Sequence, residues 1–369
     1  MKKIVCIILC VLSVYANGQT LALARVLQDK SQLYITSEGK LAIDKKYENA
    51  HDFSEGFASV WIKDRWNVID HTGKIIFALD SNSGCQGTFS GSLMPVFNVK
   101  QKYSVDPKKS IHTFRQPYGF VDKQGHLFQK TEYAYVSEFS EGLSAVNIGG
   151  YYKMVPHLPA GGFPTEGGKW GFIDAKEKFI MEPQFEAAQS FSEGLAAVRS
   201  NNKWGYIDKN GKTVIPFVYD SAGLFMNGIA WVKKNGHFGF INKEQKKITE
   251  FIYIDLRVFH EDFAAIKNKE GSWNYIDKNG KTIVQEQFEN ASSFYEGLAG
   301  IMKNGKWGFI NGKGTIVIDF LFEETRNFSN GLAAVKSGGK WGYINKKGDW
   351  VVKPEFDLAW DFKSDLIKR

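Results

Sequence analysis

Lys203-Trp204-Gly205-Tyr206-Ile207-Asp208, followed by Lys209-Asn210-Gly211, is the stretch from which the rest of the chain can be read. Aromatic and β-branched residues mark a short strand. Asp208 stands three residues before Gly211, the spacing of a type I turn closed by a G1 bulge. There the carboxylate accepts backbone N–H groups and the glycine takes a positive φ. Lys212-Thr213-Val214-Ile215 is then the returning strand. Asp122 with Gly125, Asp277 with Gly280 and Asn345 with Gly348 repeat the turn.

Outward from this stretch the chain is periodic. Aligned on Trp204, the markers are Gln32, Trp66, Tyr118, Trp170, Trp204, Phe238, Trp273, Trp307 and Trp341, spaced 34, 52, 52, 34, 34, 35, 34 and 34 residues. A second marker, the Phe of Phe191-Ser192-Glu193-Gly194-Leu195-Ala196-Ala197-Val198, keeps the register from Phe53 to Phe362. Nine units of about 34 residues follow. The two long steps place insertions at 97–117 and 147–169, at the same point of neighbouring units, so the two loops should lie side by side.

Each unit reads as a three-stranded meander. Leu195–Val198 precedes Trp204–Asp208 and Lys212–Ile215, and a longer corner carrying Pro216 and Ala222 leads to the next unit. Residues 19–31 read as an N-terminal capping strand, with Arg25 where internal units have Ala. Leu366-Ile367-Lys368-Arg369 reads as a degraded copy of the same strand type. Charged ends of like type predict an all-β open, solenoid-like array over 32–369, with a closed propeller-like toroid as the alternative. Trp66, Tyr118, Trp170, Trp204, Phe238, Trp273, Trp307 and Trp341 are expected to be structural, each shared between adjacent units.

These residues resemble the bacterial WG (or KWG) repeat. The resemblance rests on Lys203–Lys212, Val214-Ile215-Pro216 and Phe191–Val198, and covers residues 20–369. It implies a β-rich interaction scaffold, commonly exported or surface-associated, and brings no catalytic residues with it. Gln32 and Tyr118 depart from its Trp, Asn274 from its first Gly, and Asp262 from the Gly of Ser-Glu-Gly.

Composition narrows the rest. The chain has 369 residues with 37 Gly and ten Trp, enough to bury a core through many tight turns. Residues 1–18 read as a signal peptide: Lys2 and Lys3, the apolar Ile4–Tyr15, then Ala16 and Gly18 before a cleavage site at Gln19. Bulky Leu9 before Cys10 argues against a lipoprotein anchor. No second run of membrane length follows. The expected location is therefore periplasmic, secreted or cell-surface, as a monomer. Two of the three Cys leave with the leader, and Cys85 is expected to be a small buried residue. The formal charge of +7 falls by two on cleavage and comes from scattered turn lysines, which excludes a nucleic-acid partner.

No active-site constellation appears, so the chain is expected to be a non-enzymatic scaffold without cofactor. The seven His show no ligand spacing, so no metal is expected. Glu55, Glu141, Glu193 and Glu296 recur once per unit and read as turn formers bonded to local N–H groups or a neighbouring Lys. The insertions are the unique surfaces. Lys100, Lys102, Tyr103, Lys108, Lys109, Phe114 and Arg115 in the first, with Tyr151, Tyr152, His157 and Phe163 in the second, are the candidate contacts for an envelope protein or glycan. A cell-wall or glycan-binding module using exposed aromatics is the second reading.

Overall fold

The computed structural model describes residues 20–98, 102–105, 112–115, 117–129, 133–154, 165–284 and 286–366. The expected signal peptide lies outside them. The strands fall into nine antiparallel sheets, one per repeat.

The fifth sheet shows the pattern. Leu195–Ser200, Lys203–Asp208 and Thr213–Tyr219 form the expected meander. A fourth strand, Ala187–Ala188, precedes them and pairs Ala188 with Val198. Sequence reading predicts three strands per unit; the corner before each ring Phe supplies the fourth. Two residues are too few to show an alternation of apolar and polar side chains, which is why this strand is silent in the sequence. The sheets are blades, each starting at an inner strand, and six of them end on an exposed outer strand.

The turn after Asp208 is as expected. Asp208 Oδ1 accepts from Asn210 N and Lys212 N, both at 2.9 Å, and Gly211 has φ 80°. Eight such turns share one geometry, with Asp70, Asp122, Asp174, Asn242, Asp277, Asn311 and Asn345 in the same role.

Both faces of every blade are covered. Along Leu195–Val198, Ala196 and Val198 pack towards the preceding blade, while Leu195 and Ala197 pack towards the following one. Nine apolar clusters result, each between consecutive blades, and the ninth joins the last repeat to the first. All eight aromatic markers sit in or against these cores; Trp273 and Trp341 are almost fully buried.

The array is therefore closed, which corrects the expectation of an open solenoid. Thr20–Gln28 is no cap. It pairs on one side with Ser31–Ile35 and on the other with Leu358–Ala359 and Lys363–Leu366. Val26 stands opposite Ala359, as Val198 stands opposite Ala188 within blade 5. The last repeat supplies the inner strand of this blade and the N-terminal segment supplies the next two. The molecule is a nine-bladed β-propeller, and we number as blade 1 the one that contains this seam.

The glycine beside the aromatic marker has a defined purpose. A Cβ on Gly205 would lie 2.6 Å from Ile215 O, where the outer strand bulges inward. Gly171, Gly308 and Gly342 face the same carbonyl at 2.5 Å. These four blades carry full seven-residue outer strands. Where the glycine is Leu33 or Asn274, the outer edge makes only isolated bridges. The glycine does not decide the outer strand by itself: blade 6 keeps Gly239 and makes only isolated bridges, while blade 2 has Asn67 and keeps Ile75–Ala78 paired.

Candidate functional site

The two insertions join through the backbone. Lys102–Val105 and His112–Arg115 form a hairpin projecting from blade 3. His112–Phe114 then pairs with Tyr152–Met154, on the elongated strand Ser144–Met154 of blade 4. The blade 4 sheet thereby grows to six strands. Its long hairpin is anchored at the root, where buried Asn147 accepts from Gly150 N at 3.0 Å and donates to Gly167 O at 3.2 Å. Gly149, Gly167 and Gly168 all take positive φ there, where the ladder skips the pair Gly149 and Gly168 but keeps its register.

Of the candidate contacts, Lys102, Tyr103, Phe114 and Arg115 lie on the first hairpin, in the register Phe114 to Tyr103 and Arg115 to Lys102. Tyr151 and Tyr152 lie on the adjoining strand, and Tyr151 is half-buried over Gly167. Lys100, Lys108, Lys109, His157 and Phe163 lie outside the described residues.

The recurring glutamates are blade-to-blade staples. Glu193 Oε2 accepts from Gly228 N of the next blade at 2.9 Å and pairs with Lys243 at 3.1 Å. Glu55, Glu141 and Glu296 repeat the arrangement with Lys123, Lys209 and Lys346. Glu261, which the sequence reading omits, reaches Gly297 N at 3.0 Å. The partner N–H belongs to the next repeat, where a local one is expected. Each of these five residues holds φ between 51° and 55°, a left-handed conformation repaid by the bond it aims. Burial alone would raise the carboxyls of Glu55, Glu141 and Glu193, but their N–H and Lys partners together hold them below the usual range.

A second set of carboxylates works at the opposite end of the blades. Glu186, Asp220, Glu289, Glu323 and Asp357 accept N–H groups from the hairpin that joins the two middle strands. Carboxylates used in this way at both ends leave no ladder of free acids. Among the described residues, no three His, Cys, Asp or Glu are placed to hold a metal ion.

The inner ring is where the repeats differ. Ser54, Ser90, Ser140, Ser192 and Ser329 each donate a hydroxyl to the Phe carbonyl of the following blade, at 2.6–2.8 Å. In blades 6, 7, 8 and 1 this serine is Met226, His260, Tyr295 or Lys363. One or two positions before the ring Phe stand Arg326 in blade 9, Trp360-Asp361 in blade 1 and Asp52 in blade 2. Arg25 enters from the seam strand, bonded to Asp52 at 2.5 Å and lying 4.6 Å from the Trp360 ring centroid. Tyr34, Tyr206, Tyr275 and Tyr343 fix this ring from behind, each donating to the carbonyl two residues before the next blade's Phe. Sequence reading misses this cluster. The signal available was the two positions before each ring Phe and the one after it, where no residue type repeats around the full ring.

His51 and Cys85 are structural. His51 stacks on Trp66 at 4.6 Å, its Nδ1 lies 2.7 Å from Ser59 Oγ, and burial lowers its pKa to about 4. Cys85 fills the small inner-strand slot that Ala188 and Ala222 fill elsewhere, and burial pushes its thiol up to about 12.

Comparison with known proteins places this ring among proteins built on repeats. The chain belongs to the WG containing repeat family, whose description matches residues 34–66, 118–152, 170–204, 204–236, 238–273, 273–307, 307–341 and 341–368. No curated protein matches it in sequence. Among solved structures it is similar to the crystal structure of the eukaryotic initiation factor, with TM-score 0.62 and 10% identity over 94% of this chain and 98% of that one. BamB from Moraxella catarrhalis aligns over 91% and 93% with TM-score 0.42 and 8% identity. Apo AztD from Citrobacter koseri aligns over 95% and 99% with the same score and identity. These likenesses concern the fold alone. Among the described residues no helix is long and apolar enough to cross a membrane.

Proposed function

We propose that this protein is an exported, non-enzymatic binding scaffold that holds an envelope partner on the joined insertions of blades 3 and 4. The observation that carries the reading is the pairing of His112–Phe114 with Tyr152–Met154. Two loops 30 or more residues apart in sequence become one sheet, rooted on a rigid ring. A broad, preorganised surface of this kind favours binding, because little conformational entropy is lost on contact. The non-enzymatic part rests on the use of the repeated carboxylates as staples, and the exported part on residues 1–18. The scaffold acts as a monomer and uses no cofactor.

The test replaces both insertions with short Gly-containing turns and compares capture from envelope extract with that of the intact mature chain. Capture should vanish while the melting temperature stays within a few degrees. Unchanged capture would remove the insertions from the proposal. N-terminal sequencing of the exported chain should begin at Gln19.

A further inference from the structure

The inner ring gathers unspent polar groups on one side. Arg326 donates Nε to Ala359 O at 2.6 Å and lies between the rings of Trp341 and Trp360, 5.4 and 6.0 Å from their centroids. The outer nitrogens of its guanidinium have no partner among the described residues. Asp361 is close enough for Arg326, Lys363 and Asp52 all to act on its charge, yet among the described residues it forms no ion pair and its Oδ1 accepts no hydrogen bond. Tyr295 lies within electrostatic reach of Asp361, its hydroxyl makes no hydrogen bond to the described residues, and its ring stacks on His260 at 3.8 Å. His260 Nδ1 is buried and unbonded.

At the position of His260 and Tyr295 five other blades carry serine hydroxyls, all used to join blades, and at the position of Asp361 blade 2 carries Asp52, paired with Arg25. A buried polar atom without a partner costs about 1–3 kcal/mol. Two such atoms, Asp361 Oδ1 and His260 Nδ1, stand in one sector with the part-buried Arg326 guanidinium, so two groups of opposite charge lie there unpaired with each other, and one solute carrying both charges supplies a partner to each.

We propose that the sector formed by Tyr295, Arg326, Trp360 and Asp361 is a binding site for a small zwitterion, a free amino acid or short peptide. Its carboxylate bonds the Arg326 guanidinium, a planar fork suited to that geometry. Its ammonium sits at Asp361 beside the Tyr295 ring, since Arg25 and Arg326 already lie over Trp360. A simple anion would leave Asp361 unsatisfied, and a simple cation would leave Arg326 so. Burial raises the Asp361 carboxyl above its usual range against the pull of Arg326, and an ammonium partner offsets that cost.

This site is independent of the insertions. They extend the hairpin at the Ser200–Lys203 end of the strands, whereas the Phe-Ser-Glu-Gly corners cap the Leu195 end.

Titration calorimetry on the mature full-length chain tests the proposal, with glycine, L-phenylalanine and diglycine as probes and acetate and ethylamine as single-charge controls. At least one zwitterion should give saturable heat, tenfold or more weaker in Asp361→Asn and in Arg326→Gln and a few-fold weaker in Tyr295→Phe. The insertion-shortened chain should bind as the wild type does. Should Arg326→Gln fail to fold, the isosteric Asp361→Asn and Tyr295→Phe carry the test. No saturable heat from any zwitterion overturns the proposal, as does equal affinity for acetate or ethylamine, or unchanged affinity in Asp361→Asn.

Discussion

Arg25 Nε donates to Asp52 Oδ1 at 2.5 Å, a bond between the N-terminal strand of the seam blade and the inner ring of blade 2. The same guanidinium donates to Ala50 O and to Gln32 Oε1, and stacks on Trp360 from the last repeat. One side chain thus ties together the beginning of the chain, its end and the neighbouring blade. Arg25→Met keeps the apolar stem but leaves Asp52 part-buried and alone. It should cost about 2–3 kcal/mol, and the Arg25→Met, Asp52→Asn double variant should cost less than the sum of the singles. Urea unfolding of all three chains measures the coupling, and strict additivity would contradict the pairing.

Gly205→Ala puts a methyl group 2.6 Å from Ile215 O, a backbone atom that can yield only by moving its strand. The outer strand of blade 5 should lift away, at a cost of about 1–3 kcal/mol. Loss of amide protection confined to Thr213–Tyr219 would show it by hydrogen exchange.

Acid should loosen the ring at its staples. The carboxyls of Glu55, Glu141 and Glu193 are held below their ordinary value of 4.5 in the folded chain. Groups depressed in this way stabilise above the unfolded pKa, and that contribution is lost as pH falls through the folded one. The triple Glu→Gln variant should therefore melt below the wild type at pH 7, and the gap should narrow below pH 4.5. A gap that stays constant from pH 7 to pH 3 would refute the staple reading.

Cys85 offers a probe of integrity. With its thiol buried and pushed up to about 12, it should resist a thiol reagent at pH 8 in the folded mature chain. Labelling should follow the fraction unfolded as urea rises. Rapid labelling without urea would mean that blades 2 and 3 separate in the native state.

Much of this ring was legible in its repeats. The period, the nine units, the Asp208–Gly211 turn and the adjacency of the two insertions follow from residue spacing alone. Closure did not, because Leu23-Ala24-Arg25-Val26 differs from Leu195-Ala196-Ala197-Val198 by one residue, and that residue is charged. A charge at a chain end suggests solvent, yet Arg25 finds its partners inside the seam. The inner-ring site was illegible for a different reason. Tyr295, Arg326 and Asp361 are single residues about one period apart with no shared motif, and only the curvature of the ring brings them together.

Thr20 lies directly opposite Leu366, so the two ends of the folded chain are neighbours. The ring is consequently indifferent to which repeat is translated first. A gene rearranged to start at Asn202, with a short linker joining residue 366 to residue 20, should encode the same nine blades with the break moved to blade 5. For an evolving gene this makes the starting codon a movable choice, and gain or loss of a whole repeat a change of circumference.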